Sequence, residues 1–221
     1  MPVTKLNQTV AAVRNELRWP ALVTIVAICL LYFLLPEPLT FGPTWLVPAL
    51  TLLLLIPTAV AHRVGKHNAN FVLGIAMLSL VTAGLCWSLG LLISALLAKG
   101  LKPDQLLRSA VALWVSNILV FASWYWRLDA GGPHRRATSK KHGDSAFLFP
   151  QMTLPQGSPL CEPEWKPEFV DYLFLAFNTS TAFSPTDVPV LDRWAKALMM
   201  IQSSISLATV AILAARAVNI L

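Results

Sequence analysis

An all-α polytopic membrane helix bundle is the fold class this sequence predicts, and three observations predict it. Five long apolar stretches dominate the chain: Pro20–Leu35, Thr44–Ala61, Phe71–Ala98, Ser109–Trp126 and Ala195–Val218. Of the 221 residues, 56% are hydrophobic and only 13% charged, against roughly 25% charged in a soluble domain. The basic residues gather at the ends of the apolar stretches rather than inside them. Hydrocarbon is about 30 Å thick, so a spanning helix needs about 20 apolar residues. Inside it every backbone polar group must be satisfied locally. The stretches are continuous rather than alternating, which selects helices over barrel strands. Five or six membrane helices are expected, with a short re-entrant-like helix before the last.

Residues 1–19 are expected to form an amphipathic helix at the membrane surface. Leu6, Val10, Val13 and Leu17 recur at helical spacing, opposed by Lys5, Arg14 and Arg18; such a helix lies in the interface. No apolar core of a signal peptide is present in these residues. Residues 20–127 hold four membrane helices. Pro36-Glu37-Pro38 stops the first, and Pro57 lies inside the second, where it removes a backbone bond. His62 to His67 is a compact polar turn. The third stretch runs about 28 residues, long enough to tilt or project. Its small residues, Gly84 with Ser88 and Ser79 with Ala83, offer faces for close helix contact. The fourth ends in Trp124-Tyr125-Trp126-Arg127, an aromatic belt with an anchoring charge. Asn117, in mid-span, reads as an interhelical hydrogen-bonding residue.

Residues 128–167 form the one long polar segment. Its first half is basic (Arg135, Arg136, Lys140, Lys141) and its second is rich in proline and glutamate. Such a stretch builds no core of its own. The patch Phe147-Leu148-Phe149 inside it is expected to dock on the bundle or enter the interface. With the N-terminus inside, the inner segments carry eleven Lys and Arg and the outer loops three. That bias predicts a cytoplasmic N-terminus.

The net charge of +6 does not point to nucleic acid. The basic residues sit where they read as topology signals and contacts for anionic headgroups. Cys29 and Cys86 lie inside apolar stretches and Cys161 stands alone in a loop, so neither disulfide nor metal spacing emerges. His62 and His67 are five apart, off the spacing of a helical metal pair. No catalytic constellation, cofactor motif or phosphate loop is visible; the reading is of a protein that is not an enzyme and carries no cofactor.

Residues 168–221 carry the functional expectation. Phe169–Phe183 is too short to cross comfortably, and it runs into a hydroxyl-rich segment broken by Pro185. A polar path is expected here, with Thr179, Thr181, Ser184 and Thr186 supplying oxygens and Asp187 the charge that attracts a cation. Gln202, Ser206 and Thr209 are spaced i, i+4, i+7 on the last helix, with Arg216 near the same face. This stripe either bonds a neighbouring helix or walls the path. If residues 168–190 crossed the membrane, the count would be six and both termini inside; charge alone leaves five and six open.

An aromatic-rich short helix, a Thr-rich tip, an aspartate and a long last helix resemble the pore helix, filter and inner helix of potassium-type channels. The likeness covers residues 169–218. Both filter glycines are absent and a proline interrupts the run, which departs from the backbone a carbonyl-lined potassium filter needs. The counted topology also puts this loop on the cytoplasmic side, whereas such pore loops enter from outside. A second resemblance covers more of the chain. Gly131-Gly132-Pro133, Phe147 to Met152, Val170 to Leu173, Thr181 to Asp187 and Ala214 to Leu221 are similar to a family of uncharacterised bacterial integral membrane proteins. That likeness implies a bacterial inner-membrane location and no particular activity. Two function classes therefore stand. One is a channel-like or transporter-like protein, homo-oligomeric, taking a small inorganic cation through the bilayer. The other is a non-transporting scaffold that binds a partner or lipid through residues 128–167.

Overall fold

The structure, a computed structural model, describes residues 19–98, 101–138, 145–155, 158, 165–183 and 187–220. The amphipathic helix expected over 1–19 lies outside the described residues except for Trp19. The described chain holds seven α-helices. They are α1 (Trp19–Phe33), α2 (Leu46–Arg63), α3 (His67–Ala98), α4 (Pro103–Leu128), α5 (Pro133–Thr138), α6 (Phe169–Thr181) and α7 (Arg193–Ile220). Among the described residues no strand forms beyond one isolated antiparallel bridge, Phe147 with Val190. The helical bundle expected from the sequence is present. Four helices are long and apolar enough to cross a membrane, and α1 is a shorter apolar fifth.

The bundle is organised around α4. It packs against α1, α3, α6 and α7, and 67% of its most apolar window is buried against 28% for α2. Leu106, Leu113, Val120, Phe121 and Tyr125 are all buried on it, and so are the polar Ser109, Asn117 and Ser123, so protein surrounds it on most sides. Pro103 opens α4, where a missing N–H costs nothing, and Gln105 Oε1 accepts the Lys102 N–H at 3.3 Å. The helix ends at Asp129. Ala130, Gly131 and Gly132 follow with φ of 49°, 74° and 97°, a left-handed run that turns the chain back into α5. At Gly132 a Cβ would stand 3.0 Å from the Arg127 carbonyl oxygen, so glycine is required by space as well as by φ.

α3 and α4 form a full-length antiparallel pair. Trp124 Nε1 donates to Thr82 Oγ1 at 2.9 Å, and the Arg127 guanidinium donates to the Asn70 carbonyl. That guanidinium lies on Gly74, where a Cβ would collide with it. At the small face of Gly84 a Cβ would stand 3.4 Å from Val47 and 3.8 Å from Tyr32. The turn between α1 and α2 therefore sits beside the middle of α3, and Phe41 meets the Trp87 ring edge-on at 5.4 Å.

The segment expected as a surface loop is partly built into the fold. Phe147 is fully buried against Tyr125, Tyr172 and Trp194. Leu148 N–H donates to the Pro189 carbonyl at 2.9 Å and Leu191 N–H to the Ala146 carbonyl at 2.8 Å. Polar composition foretells exposure on average, but three apolar residues within it find an aromatic socket.

Candidate functional site

α6 begins where Glu168 N–H is accepted by Asp171 Oδ2 at 2.7 Å, a side-chain cap on an orphan donor. Its first turn lies at the Arg127 end of α4: Phe169 stacks edge-on against Trp126 at 5.9 Å. Its last turn lies beside the middle of α4, with Asn117 Nδ2 3.4 Å from Ser180 Oγ and Phe177 edge-on to Trp114 at 6.3 Å. α6 therefore runs antiparallel to α4 and stops partway.

α7 runs the same way. It starts beside Phe147 through Trp194 and reaches Trp114 through Ser206. Two bonds align it with α6: Gln202 Nε2 donates to the Ala176 carbonyl at 2.7 Å, and Ser206 Oγ donates to the Ser180 carbonyl at 2.6 Å. Both join residues 26 apart in sequence, so the helices are parallel. Two consecutive parallel helices require the connecting chain to return the whole length of the first. The segment from Phe169 to Arg193 thus enters and leaves at one end of the bundle. This is the re-entrant-like geometry expected before the last helix, and α6 itself stops partway along the bundle.

The polar core between α4, α6 and α7 is one network. Tyr125 Oη donates to Gln202 Oε1 at 2.5 Å. Gln202 Nε2 also reaches Ser180 Oγ at 2.9 Å, Asn117 Nδ2 donates to the Gln202 carbonyl at 3.2 Å, and Trp114 Nε1 donates to Ser206 Oγ at 3.1 Å. The last carbonyls of a helix lack partners of their own; here Ser206 of α7 serves that of Ser180, while Gln202 adds a second bond to the Ala176 carbonyl one turn earlier. Among the described residues Asn117 Oδ1 is buried without a hydrogen-bond partner.

Of the residues singled out in the sequence, Gln202 and Ser206 come together with α6 in this network. Thr209 is buried beside them, and its hydroxyl returns to the Ile205 and Ser206 carbonyls of its own helix. Thr179 is buried and bonds the Leu175 carbonyl at 2.8 Å. Thr181 and Asp187 are exposed, away from the network. Ser184 and Thr186 lie outside the described residues, as does the side chain of Arg216, whose backbone belongs to α7. Tyr125, Ser180 and Trp114 were not foreseen as members. The signal for Ser180 was present, since it stands four residues after Ala176 on the α6 face that meets α7.

A second polar cluster fixes the base of α6 and was missed altogether. Asp129 is fully buried. Its carboxylate accepts from Tyr172 Oη at 2.6 Å, Ala146 N–H at 2.7 Å and Ser145 Oγ at 2.8 Å. Arg136 Nη1 donates to the Trp126 and Asp129 carbonyls at 2.7 and 2.8 Å, and its guanidinium stands 5.1 Å from the Tyr172 ring centroid. Asp129, Arg136 and Ser145 lie within one stretch of chain, and Tyr172, 43 residues from Asp129, closes the clasp from α6. No spacing rule connects them.

A small apolar pocket lies elsewhere, between α1, α2, α3 and α4, among Cys29, Tyr32, Val47, Val81, Leu85 and Ser116. None of the candidate path residues lines it. Among the described residues no group of three His, Cys, Asp or Glu side chains is placed to hold a metal ion. Comparison with protein-family models, curated proteins and solved structures finds no match for this chain.

Proposed function

We propose that the protein is a channel-like membrane transport protein of the bacterial inner membrane, in which the tip of the re-entrant hairpin lines a path for a small inorganic cation. One observation carries the reading: α6 and α7 are parallel, held by Gln202 and Ser206, so a non-crossing helix ends beside the middle of α4. Irregular backbone at membrane depth survives only when buried in protein or lining water. Gln202 and Ser206 position the tip. Thr181, on the exposed side of that tip, offers a hydroxyl, and exposed Asp187 on the returning chain offers the charge. A carboxylate at such a point concentrates cations and disfavours anions. The Lys and Arg bias supports placing the base of the hairpin, with residues 128–167, on the cytoplasmic side.

The test is cation flux into liposomes holding the purified protein, wild type beside Asp187→Asn. Monovalent cation flux should fall at least about tenfold when the charge is removed. Equal flux from a folded Asp187→Asn protein sinks the assignment of Asp187. No flux from the wild type for any of several cations sinks transport and moves the weight to the scaffold reading.

A further inference from the structure

We infer that a second copy of this chain packs against the outward face of α6 and α7, so that the tip of the re-entrant hairpin lies between copies. The role given to Asp187 at that interface rests on the transport reading; the contact itself rests on three observations.

The first is depth. Thr181, Ala182 and Phe183 are exposed at the level of Asn117 and Trp114, beside the middle of α4. Phe183 has φ of 56°, so helical bonding has already ended there. Acyl chains cannot satisfy such backbone. The second is the character of the surrounding face. Val170, Phe174 and Phe177 are exposed on α6, and Ala197, Met200, Ser204 and Leu207 on α7. Phenylalanines are poor walls for a purely aqueous crevice, whereas lipid is a poor cover for the tip. The cover must be apolar along the helices and polar at the tip.

The third observation is charge. At the rim where α7 begins, Asp192, Arg193 and Lys196 are exposed, and Asp187 is exposed on the chain leading back to it. Among the described residues none of Asp187, Asp192, Arg193 and Lys196 makes an ion pair within the chain, and the Asp192 carboxylate accepts from Trp194 Nε1 at 3.0 Å. The acid Asp192 beside the bases Arg193 and Lys196 on one rim can pair with the same rim of another copy related by symmetry. A second copy related by an axis along the bundle supplies every element of the required cover: apolar helix faces, small residues that allow close approach, the exposed Thr181 of its own tip at the same depth, and opposite charges at the matching end.

The experiment is disulfide trapping of the full chain in lipid vesicles. Cys29, Cys86 and Cys161 are replaced by alanine, and single cysteines are placed by Ser204→Cys or Ala197→Cys on the outward face of α7. Leu53→Cys and Ile56→Cys on exposed positions of α2 report random collision. Under mild oxidation the α7 variants should give at least about fivefold more covalent dimer than the α2 variants. Equal yields from both helices overturn the interface. Should the cysteine-free chain not fold, photobleaching of fluorescently tagged wild type in vesicles decides. Single-step bleaching overturns the inference; multiple steps that become single in Lys196→Asp and return in Lys196→Asp with Asp192→Lys support it. Cross-linking without cation flux defeats the transport reading and leaves the interface standing. Flux from a chain that bleaches in one step does the reverse.

Discussion

Gln202 carries four jobs in one side chain: it accepts from Tyr125, donates to Ala176 and Ser180, and holds its helix beside α6. Thr209, one face-turn further on, bonds only its own helix. The two therefore separate interhelical bonding from mere polarity. Gln202→Leu should cost about 1–2 kcal/mol, the upper range for such bonds in membranes. Thr209→Val should cost under about 0.5 kcal/mol, because those carbonyls keep their helical N–H partners. Reversible unfolding in mixed micelles compares them, and equal losses would mean the network contributes nothing beyond local bonding. At this scale the stripe of Gln202, Ser206 and Thr209 was legible, since a polar i, i+4, i+7 row in an apolar helix must find a partner. The partner was not. Tyr125 reads as part of an interfacial belt when only its neighbours Trp124 and Trp126 are in view, yet its hydroxyl points into the core.

Each element that positions the site is held by another far away in sequence. The extended piece 145–149 is held by an aromatic socket from α4, α6 and α7. Phe147→Ala should therefore cost about 3 kcal/mol and loosen the base of the hairpin. Leu148→Ala, at a half-buried position, should cost less than half of that. Proteolysis of the hairpin alongside thermal unfolding would register both effects; a Phe147→Ala protein as resistant as wild type would remove the socket from the account. Phe147-Leu148-Phe149 was legible as a docking patch, because an apolar triplet in a polar run seeks burial. Where it docks depends on Asp129, Tyr172 and Val190, which no local pattern joins. The helices themselves were legible from apolar length, and Gly84 from its neighbours as a contact face. Arg127 lying on Gly74 was not, since a charge after an aromatic belt reads equally well as an anchor in the headgroups.

At the scale of the whole molecule, α6 runs parallel to α7 and stops beside the middle of α4, so Phe169 and Arg193 lie at one end of the bundle. Cysteines at Arg135 and Asp192 should accordingly react with a membrane-impermeant thiol reagent from the same side, and one at Lys102 from the other. Labelling of Asp192→Cys from the Lys102 side would mean that the segment crosses and that α6 and α7 are not parallel. Charge counting could not decide this, because Arg193 and Lys196 at one end of α7 compete with Arg216 near the other. Hydrogen bonds between residues 26 apart decide it by geometry. The protein also presents unequal flanks to its surroundings. α3 has 32 residues, about 48 Å of helix, whereas the α1–α2 turn comes back beside Gly84 and Trp87, about 20 Å short of the far end of α3. Lipid against α1 and α2 has less hydrocarbon height to cover than lipid against α3 and α4. The bilayer would dimple along that edge, short-chain lipids would collect there, and membrane thickness would become a variable to which this fold responds.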